Sequence, residues 1–298
     1  MSSGRRRPGK RRPRARSRLG LLLAVCLLLA VVVVVVVALN RQIRGYFTIP
    51  SAPHSPQATP TAPAFLQPSP IVATPIAGTG PRVAIIIDDC GYNVKRCEQF
   101  LALPIPITLS ILPMTPHAKQ LAAEALAAGK SVMLHLPMEP DAPTAHPGPG
   151  AIMTAMSDAQ VQAQVEADIA SVPDAPGANN HMGSKATSDP RVMRDVLLVF
   201  REHHLFFIDS MTSYYSVGEA TAHGLGIPTA KRDVFLDDSH DLPYIQGQFA
   251  ELQRVVLKQG TAIAIGHPFD TTAQALKAQI PKFEDAGITF VPAQTLVR

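Results

Sequence analysis

Eight side chains able to move a proton or hold a cation stand at or near the ends of apolar runs. Asp88 and Asp89 follow Val83–Ile87, and His135 and Glu139 follow Val132–Leu134. His181, Asp209, Asp237 and His267 come later in the chain. Two adjacent carboxylates repel each other, so one ionises with difficulty unless a cation or a shared proton lies between them. Imidazoles and carboxylates without a thiolate suit a catalytic zinc, or a similar divalent ion with an open position. Such an ion lowers the pKa of water and polarises a carbonyl. Any one of these residues alone is commonly a hydrogen-bonded structural group, and Asp89 can equally cap the helix that follows. The case for a metal rests on their number and shared placement.

That placement follows from the elements. Val83–Ile87 is an unbroken, mostly β-branched run, suited to a strand buried on both faces. Further strands are expected at 105–112, 131–136, 177–181, 205–209, 233–237, 261–267 and 288–291, with helices between them. Ser157 and Gln160 form a capping box, and Val161, Val165, Ile169 and Val172 lie on one helical face. Ser188 is placed as the cap of the next helix, with Pro190 in its first turn. Helices are also expected over 249–258, closed by Gly260, and around Pro281. The alternation implies parallel strands joined by right-handed crossovers. A (β/α) barrel of seven or eight units is favoured over a doubly wound sheet, because polar residues end nearly every strand. The strand C-termini form the rim where such barrels build their sites.

The first 80 residues are different. Residues 1–18 hold nine Arg or Lys and no acid, and residues 19–39 are 21 uncharged residues. That apolar length spans a bilayer, and the charge bias leaves the basic tail in the cytoplasm. A single-pass inner-membrane protein with its C-terminal domain in the periplasm is expected. A cleaved secretion signal is the alternative. Residues 40–80 are rich in Pro, Ala and Thr and read as a spacer, leaving 81–298 as the folded domain. Residues 1–80 hold 11 of the 27 basic residues and none of the 23 acidic ones, so the remainder is net −7. The basic pI therefore says nothing about nucleic acid, and a polyanionic partner is disfavoured. Cys90 and Cys97 are left open between a disulfide and free, part-buried thiols. With no CxxC in the chain, a thiolate zinc site is improbable.

Five segments carry a resemblance: Ile87-Asp88-Asp89-Cys90-Gly91, His135-Leu136-Pro137-Met138-Glu139-Pro140, Asn179-Asn180-His181-Met182-Gly183-Ser184, Phe207-Ile208-Asp209-Ser210 and Ile265-Gly266-His267-Pro268. Together they resemble the divergent polysaccharide deacetylases, distant relatives of the NodB-type carbohydrate esterases, over essentially all of 82–298. The resemblance implies a metal-dependent hydrolase that removes acetyl groups from an N-acetylated envelope polysaccharide such as peptidoglycan. It implies Asp88 as general base, Asp89 and His135 as metal ligands, and His267 as general acid. Glu139 stands where the relatives have a second ligating histidine. Their Arg-containing loop is not recognisable, and Asn179-Asn180-His181 stands in its place. His181 and Glu139 are rivals for the third ligand. Asn180 or Asn179 would orient ligands, and Asn180, Asp209 and Tyr214 are assigned to substrate. Lys231 and Arg232 are expected to pair with Asp233, Asp237 or Asp238 rather than bind substrate. The competing reading is a non-catalytic module that binds glycan or an envelope partner in the same cleft.

Overall fold

The computed structural model describes residues 80–298. The expected basic tail, membrane span and nearly all of the spacer fall on 1–79, outside the described residues. No helix among the described residues is long and apolar enough to cross a membrane.

Strands and helices alternate: β1 (Arg82–Cys90), α1 (Val94–Leu101), β2 (Thr108–Ile111), α2 (Ala118–Ala127), β3 (Ser131–Met138), α3 (Asp158–Ser171), β4 (Gly177–Met182), α4 (Pro190–Glu202), β5 (Phe206–Asp209), α5 (Gly218–Gly224), β6 (Thr229–Lys231), β7 (Val234–Phe235), α6 (Leu242–Gln259), β8 (Thr261–Gly266), α7 (Asp270–Asp285) and β9 (Thr289–Phe290). Every strand pairing is parallel, in the order β6-β5-β4-β3-β2-β1-β8-β7. The two ends of this path are one stretch of chain. The Arg232 N–H donates to Asp209 on the β5 side, and the Asp233 N–H donates to Ile263 on β8. Residues 229–235 thus bridge the two edges, and the expected barrel results. β9 pairs with the start of β1, at Arg82 and Val83, where β2 has not yet begun.

The pleat decides which side chains meet. On β1, Val83, Ile85 and Ile87 pack outward against helices, in one cluster with Phe100, Leu121 and Phe200. Ala84 and Ile86 point inward, with Met133, Phe206, Ile208, Ile263 and Ile265, and Val291, Ala293 and Leu296 pack with them. Strand side chains alternate with period two. Continuing each strand in phase brings Asp88, His135, Asn179, His181 and His267 to the interior. The same count sends Asn180 and Asp209 outward.

Several local expectations need correction. The second strand is shorter than 105–112, β7 is shorter than 233–237, and a further short strand, β6, precedes it. Asp189, not Ser188, caps α4, accepting N–H bonds from Arg191 and Val192. Helix α6 starts at Leu242 on an Asp241 cap, earlier than expected. The short helix α5 had no periodic apolar signal. The Ser157–Gln160 capping box is present as expected, and Cys90 and Cys97 are free and buried.

Helix α3 buries a charge-bearing group. Asp168 is fully buried, and its Oδ1 accepts from Gln164 at 3.1 Å. Its Oδ2 has no partner among the described residues. A Cβ at Gly150, in the loop above, would lie 2.3 Å from that Oδ1. Burial pushes the Asp168 carboxyl up to about 8. The folded chain therefore keeps a proton between about pH 4 and 8 that the unfolded chain has lost, and stability falls as pH rises through that window. Asp168→Asn removes the slope. It is expected to gain about 1–3 kcal/mol over the natural protein at pH 8 and little at pH 4, the scale of one unpartnered buried polar group. Urea midpoints at the two pH values check this; equal differences would refute it.

Candidate metal centre

The end of β1 is distorted. Its register with β2 shifts between Ile87 and Cys90, and Asp89 takes a left-handed backbone with φ 55°. A regular strand would turn Asp88 and Asp89 to opposite faces; the bulge re-aims one of them. Gly91 follows, and a Cβ there would sit 2.2 Å from Thr115 Oγ1, so the turn has no room for a side chain. As a result both carboxylates face the barrel mouth.

Three ligand atoms converge at this point. Asp89 Oδ1 lies 3.2 Å from His135 Nε2 and 2.9 Å from His181 Nδ1, and the two nitrogens are 3.2 Å apart. Asn179 sets the tautomer of His135. Its Oδ1 accepts from the Ser110 hydroxyl at 2.5 Å and from His135 Nδ1 at 2.8 Å. The Nδ1 must therefore carry the proton, which leaves the Nε2 lone pair aimed at Asp89 and His181. The Asn179 amide donates to both oxygens of Asp88, at 2.9 and 3.2 Å. One side chain thus fixes a candidate ligand and the candidate base. Asp89 Oδ1 is buried with no conventional hydrogen-bond donor. A buried oxygen and two imidazole nitrogens aimed at one another, the ligand atoms all within 4.8 Å, fit a divalent cation.

The electrostatics point the same way. Burial alone would raise Asp89, but the close contacts and charge of the His135 and His181 imidazoles hold it well below the usual carboxylate range. Burial lowers His135, and the charge of Asp88 with the Asp89 contact more than reverses this. Asp88, 3% exposed, is pushed up by burial against the pull of His135 and His267. Across the mouth, Asp237 accepts from His267 Nδ1 at 2.9 Å, from the His267 backbone N–H at 2.6 Å and from the Thr272 hydroxyl at 2.7 Å. Burial opposes the charged imidazole, but Asp237 outweighs it and His267 rises to about 9. Its Nε2 lies 3.8 Å from Asp89 Oδ2. A cleft of about 470 Å³ reaches Asp88, Asp89, His135, His181 and His267 together. A second cavity of about 320 Å³, walled by Tyr92, Leu112, Pro113 and Pro147, shares Asp89 and His181 with it.

The chain matches the family model for divergent polysaccharide deacetylases over residues 85–297. This chain is a divergent polysaccharide deacetylase family member. It is 39% identical to an uncharacterized protein of Haemophilus influenzae over 197 residues, which is 66% of this chain and 70% of the relative. It is 35% identical to the uncharacterized protein YibQ of Escherichia coli K12 over 222 residues, 72% of this chain and 67% of the relative. The crystal structure of an uncharacterized protein from Agrobacterium tumefaciens C58 has the same fold, with TM-score 0.70, 23% identity and coverage of 73% of this chain and 89% of that one.

Within this deacetylase-family fold, not all sequence-assigned residues reach the cleft. Asp88, Asp89, His135, His181 and His267 come together. Glu139 does not join them: its Oε2 accepts from the N–H and hydroxyl of Thr154, both at 2.6 Å, and its Oε1 pairs with Lys185 at 2.7 Å. The carboxylate ties the loop at Thr154 to the segment after β4. Asp209 is also spent on structure, as the pleat requires. It accepts from the Met211 N–H, the Ser216 hydroxyl and the Glu219 N–H, fixing the turn after β5. Asn180 borders the cleft, but its amide is used up by Met182, Thr212 and the Ser210 N–H. Tyr214 is 91% exposed, edge-on to Tyr215, and is not among the residues lining the cleft. Lys231 pairs with Glu219 rather than with Asp233, Asp237 or Asp238. Arg232 has no carboxylate partner within 4 Å among the described residues and lines the cleft instead. Sequence reading gave Ser110, Ser210 and Arg232 no role at this site. The pleat phase of β2 would have found Ser110, and that of β5, in which Phe206 and Ile208 face inward, would have found Ser210; for Arg232 there was no signal.

Proposed function

We propose that the chain is a membrane-anchored, zinc-dependent hydrolase that removes acetyl groups from an N-acetylated, peptidoglycan-like envelope polysaccharide. The observation that carries this reading is the convergence of Asp89, His135 and His181 between a buried carboxylate and an Asp-held imidazole. A zinc ion held by these three residues would supply a Lewis acid for the acetyl carbonyl. Asp88 stands beside them, oriented by Asn179, and accepts a proton from the attacking water. His267, kept charged by Asp237, gives a proton to the leaving nitrogen.

The test uses the purified full-length chain. Zinc should bind at one ion per chain, and acetate should be released from acetylated glycan. Asp88→Asn should stop the release while keeping the zinc. If zinc binds and no acetate appears from either chitin oligomers or peptidoglycan fragments, the enzyme reading fails and the glycan-binding module stands.

The anchoring part rests on residues 1–39 alone: nine basic residues before a 21-residue uncharged span. Protease added to spheroplasts is expected to digest the domain. A domain protected until the membrane is broken would refute the topology.

A further inference from the structure

Arg232 sits in the wall of the reaction cleft and is held there rigidly. Its Nε donates to the Ser210 carbonyl at 2.7 Å and its Nη2 to the Met211 carbonyl at 2.9 Å. The guanidinium lies 4.9 Å over the ring of Phe235. Two adjacent carbonyls can meet one guanidinium because the turn is unusual: Met211 has φ 51°, and Asp209 fixes it by accepting the Met211 N–H. A guanidinium has five N–H donors, and these two bonds leave three without a protein acceptor among the described residues.

The charge is also left without a close counterion. Asp88, Asp209, Asp233 and Asp238 act on Arg232 only at longer range, and none lies within 4 Å. A part-buried cation with spare donors is a costly arrangement unless an anion completes it. Ser210, whose carbonyl Arg232 holds, has a buried hydroxyl with no hydrogen-bond partner among the described residues. Both residues line the same cleft as Asp88 and His267. Phe235 packs against both Arg232 and His267, whose ring meets it edge-on at 5.4 Å. The unsatisfied donors therefore lie one aromatic ring away from the imidazole assigned to the leaving nitrogen.

We propose that Arg232 and Ser210 form a seat for a carboxylate on the substrate, so that the preferred saccharide is an acidic one carrying that group close to the acetamido group. The inference rests on the proposed function and narrows its substrate class. Bidentate contact with a guanidinium is the favoured geometry for a carboxylate. A single acidic group fits here, while the net negative domain around it disfavours a densely charged polymer.

The test compares two ligands of one shape. A tetrasaccharide of alternating N-acetylglucosamine and N-acetylmuramic acid is measured against the same compound with its carboxyls reduced to alcohols. Binding to the full-length, zinc-loaded chain is read by calorimetry, apart from turnover. The acidic form should bind at least tenfold tighter, the scale of one charge-assisted hydrogen bond. Arg232→Gln should erase that preference, weakening the acidic form by far more than the reduced form. Ser210→Ala should narrow the preference by a smaller factor. Equal affinity of the natural protein for the two ligands, or no binding of either, would overturn the proposal whether or not Arg232→Gln folds. So would an equal loss for both ligands in Arg232→Gln, which marks a strap for the Ser210–Thr212 turn and nothing more. Acetate release without a preference sinks the acidic seat alone. A preference without acetate release sinks the hydrolase reading alone.

Discussion

His135→Ala is expected to abolish stoichiometric zinc binding. Structural zinc sites yield apparent binding energies of about 10–16 kcal/mol shared among four ligands, so one ligand is worth roughly 3 kcal/mol or more. That is on the order of a hundredfold to a thousandfold in affinity. His135 should lie at the upper end. It is 2% exposed, its Nδ1 is tied to Asn179 at 2.8 Å, and its Nε2 faces Asp89 and His181, with Asp88 farther off at 3.6 Å. His181→Ala should lose zinc to a similar degree, since its Nδ1 is 2.9 Å from Asp89 Oδ1. Glu139→Gln should keep the affinity of the natural protein, because both oxygens of Glu139 are already bound to Thr154 and Lys185. It should instead loosen the loop that Thr154 belongs to. Calorimetric zinc titration with a melting curve for each variant separates lost metal from lost fold. A folded His135→Ala chain that binds zinc as well as the natural protein would remove the site altogether.

The distribution of successes along the chain has a physical cause. The apolar runs of β1, β3 and β8 are long and end in Asp or His, so strand, direction and rim were all readable. The alternation gave parallel strands, and the polar residues at nearly every strand end favoured the barrel over a doubly wound sheet. What went wrong was orientation at single residues. Asn180 and Asp209 were assigned to substrate, but Ile208 faces inward, so its neighbour Asp209 must face the helices. Counting pleats from the apolar partners gives that answer without a structure. Asp89 breaks the same count, and only the bulge with its left-handed φ brings it to the site. A bulge of this kind leaves little trace in residue types. Glu139 was a fair rival for the metal on chemistry, and it lost to two partners, Thr154 and Lys185, far from it in sequence. Arg232 was expected to find an acidic neighbour among Asp233, Asp237 and Asp238, yet Asp237 is committed to His267 and the Arg232 donors go to carbonyls. Sequence proximity supplied the wrong partner in each case.

Asp237 is the residue on which the proposed acid depends, and Asp237→Asn should lower kcat by about a hundredfold to a thousandfold with little change in KM. General acid catalysis contributes about 10²–10⁴, and His267 supplies it only while protonated and aimed. Asp237 meets three donors: the His267 ring, the His267 backbone N–H and the Thr272 hydroxyl. An Asn cannot accept from all three. Its amide must face one of them, and keeping the backbone N–H and the hydroxyl satisfied turns the NH₂ toward His267 Nδ1. The ring then needs a lone pair at Nδ1 and settles into the other neutral tautomer. The charged form loses the partner that holds it at about 9. Thr272→Val removes one donor without touching the ring and should cost less than tenfold. His267→Gln should fall at least as far as Asp237→Asn, and the double variant should be little worse than either alone, since the two side chains act as one unit. Acetate release measured across a range of glycan concentrations gives kcat and KM separately. If Asp237→Asn raises KM and leaves kcat intact, the pair binds sugar, and the proton donor to the leaving nitrogen is some other group.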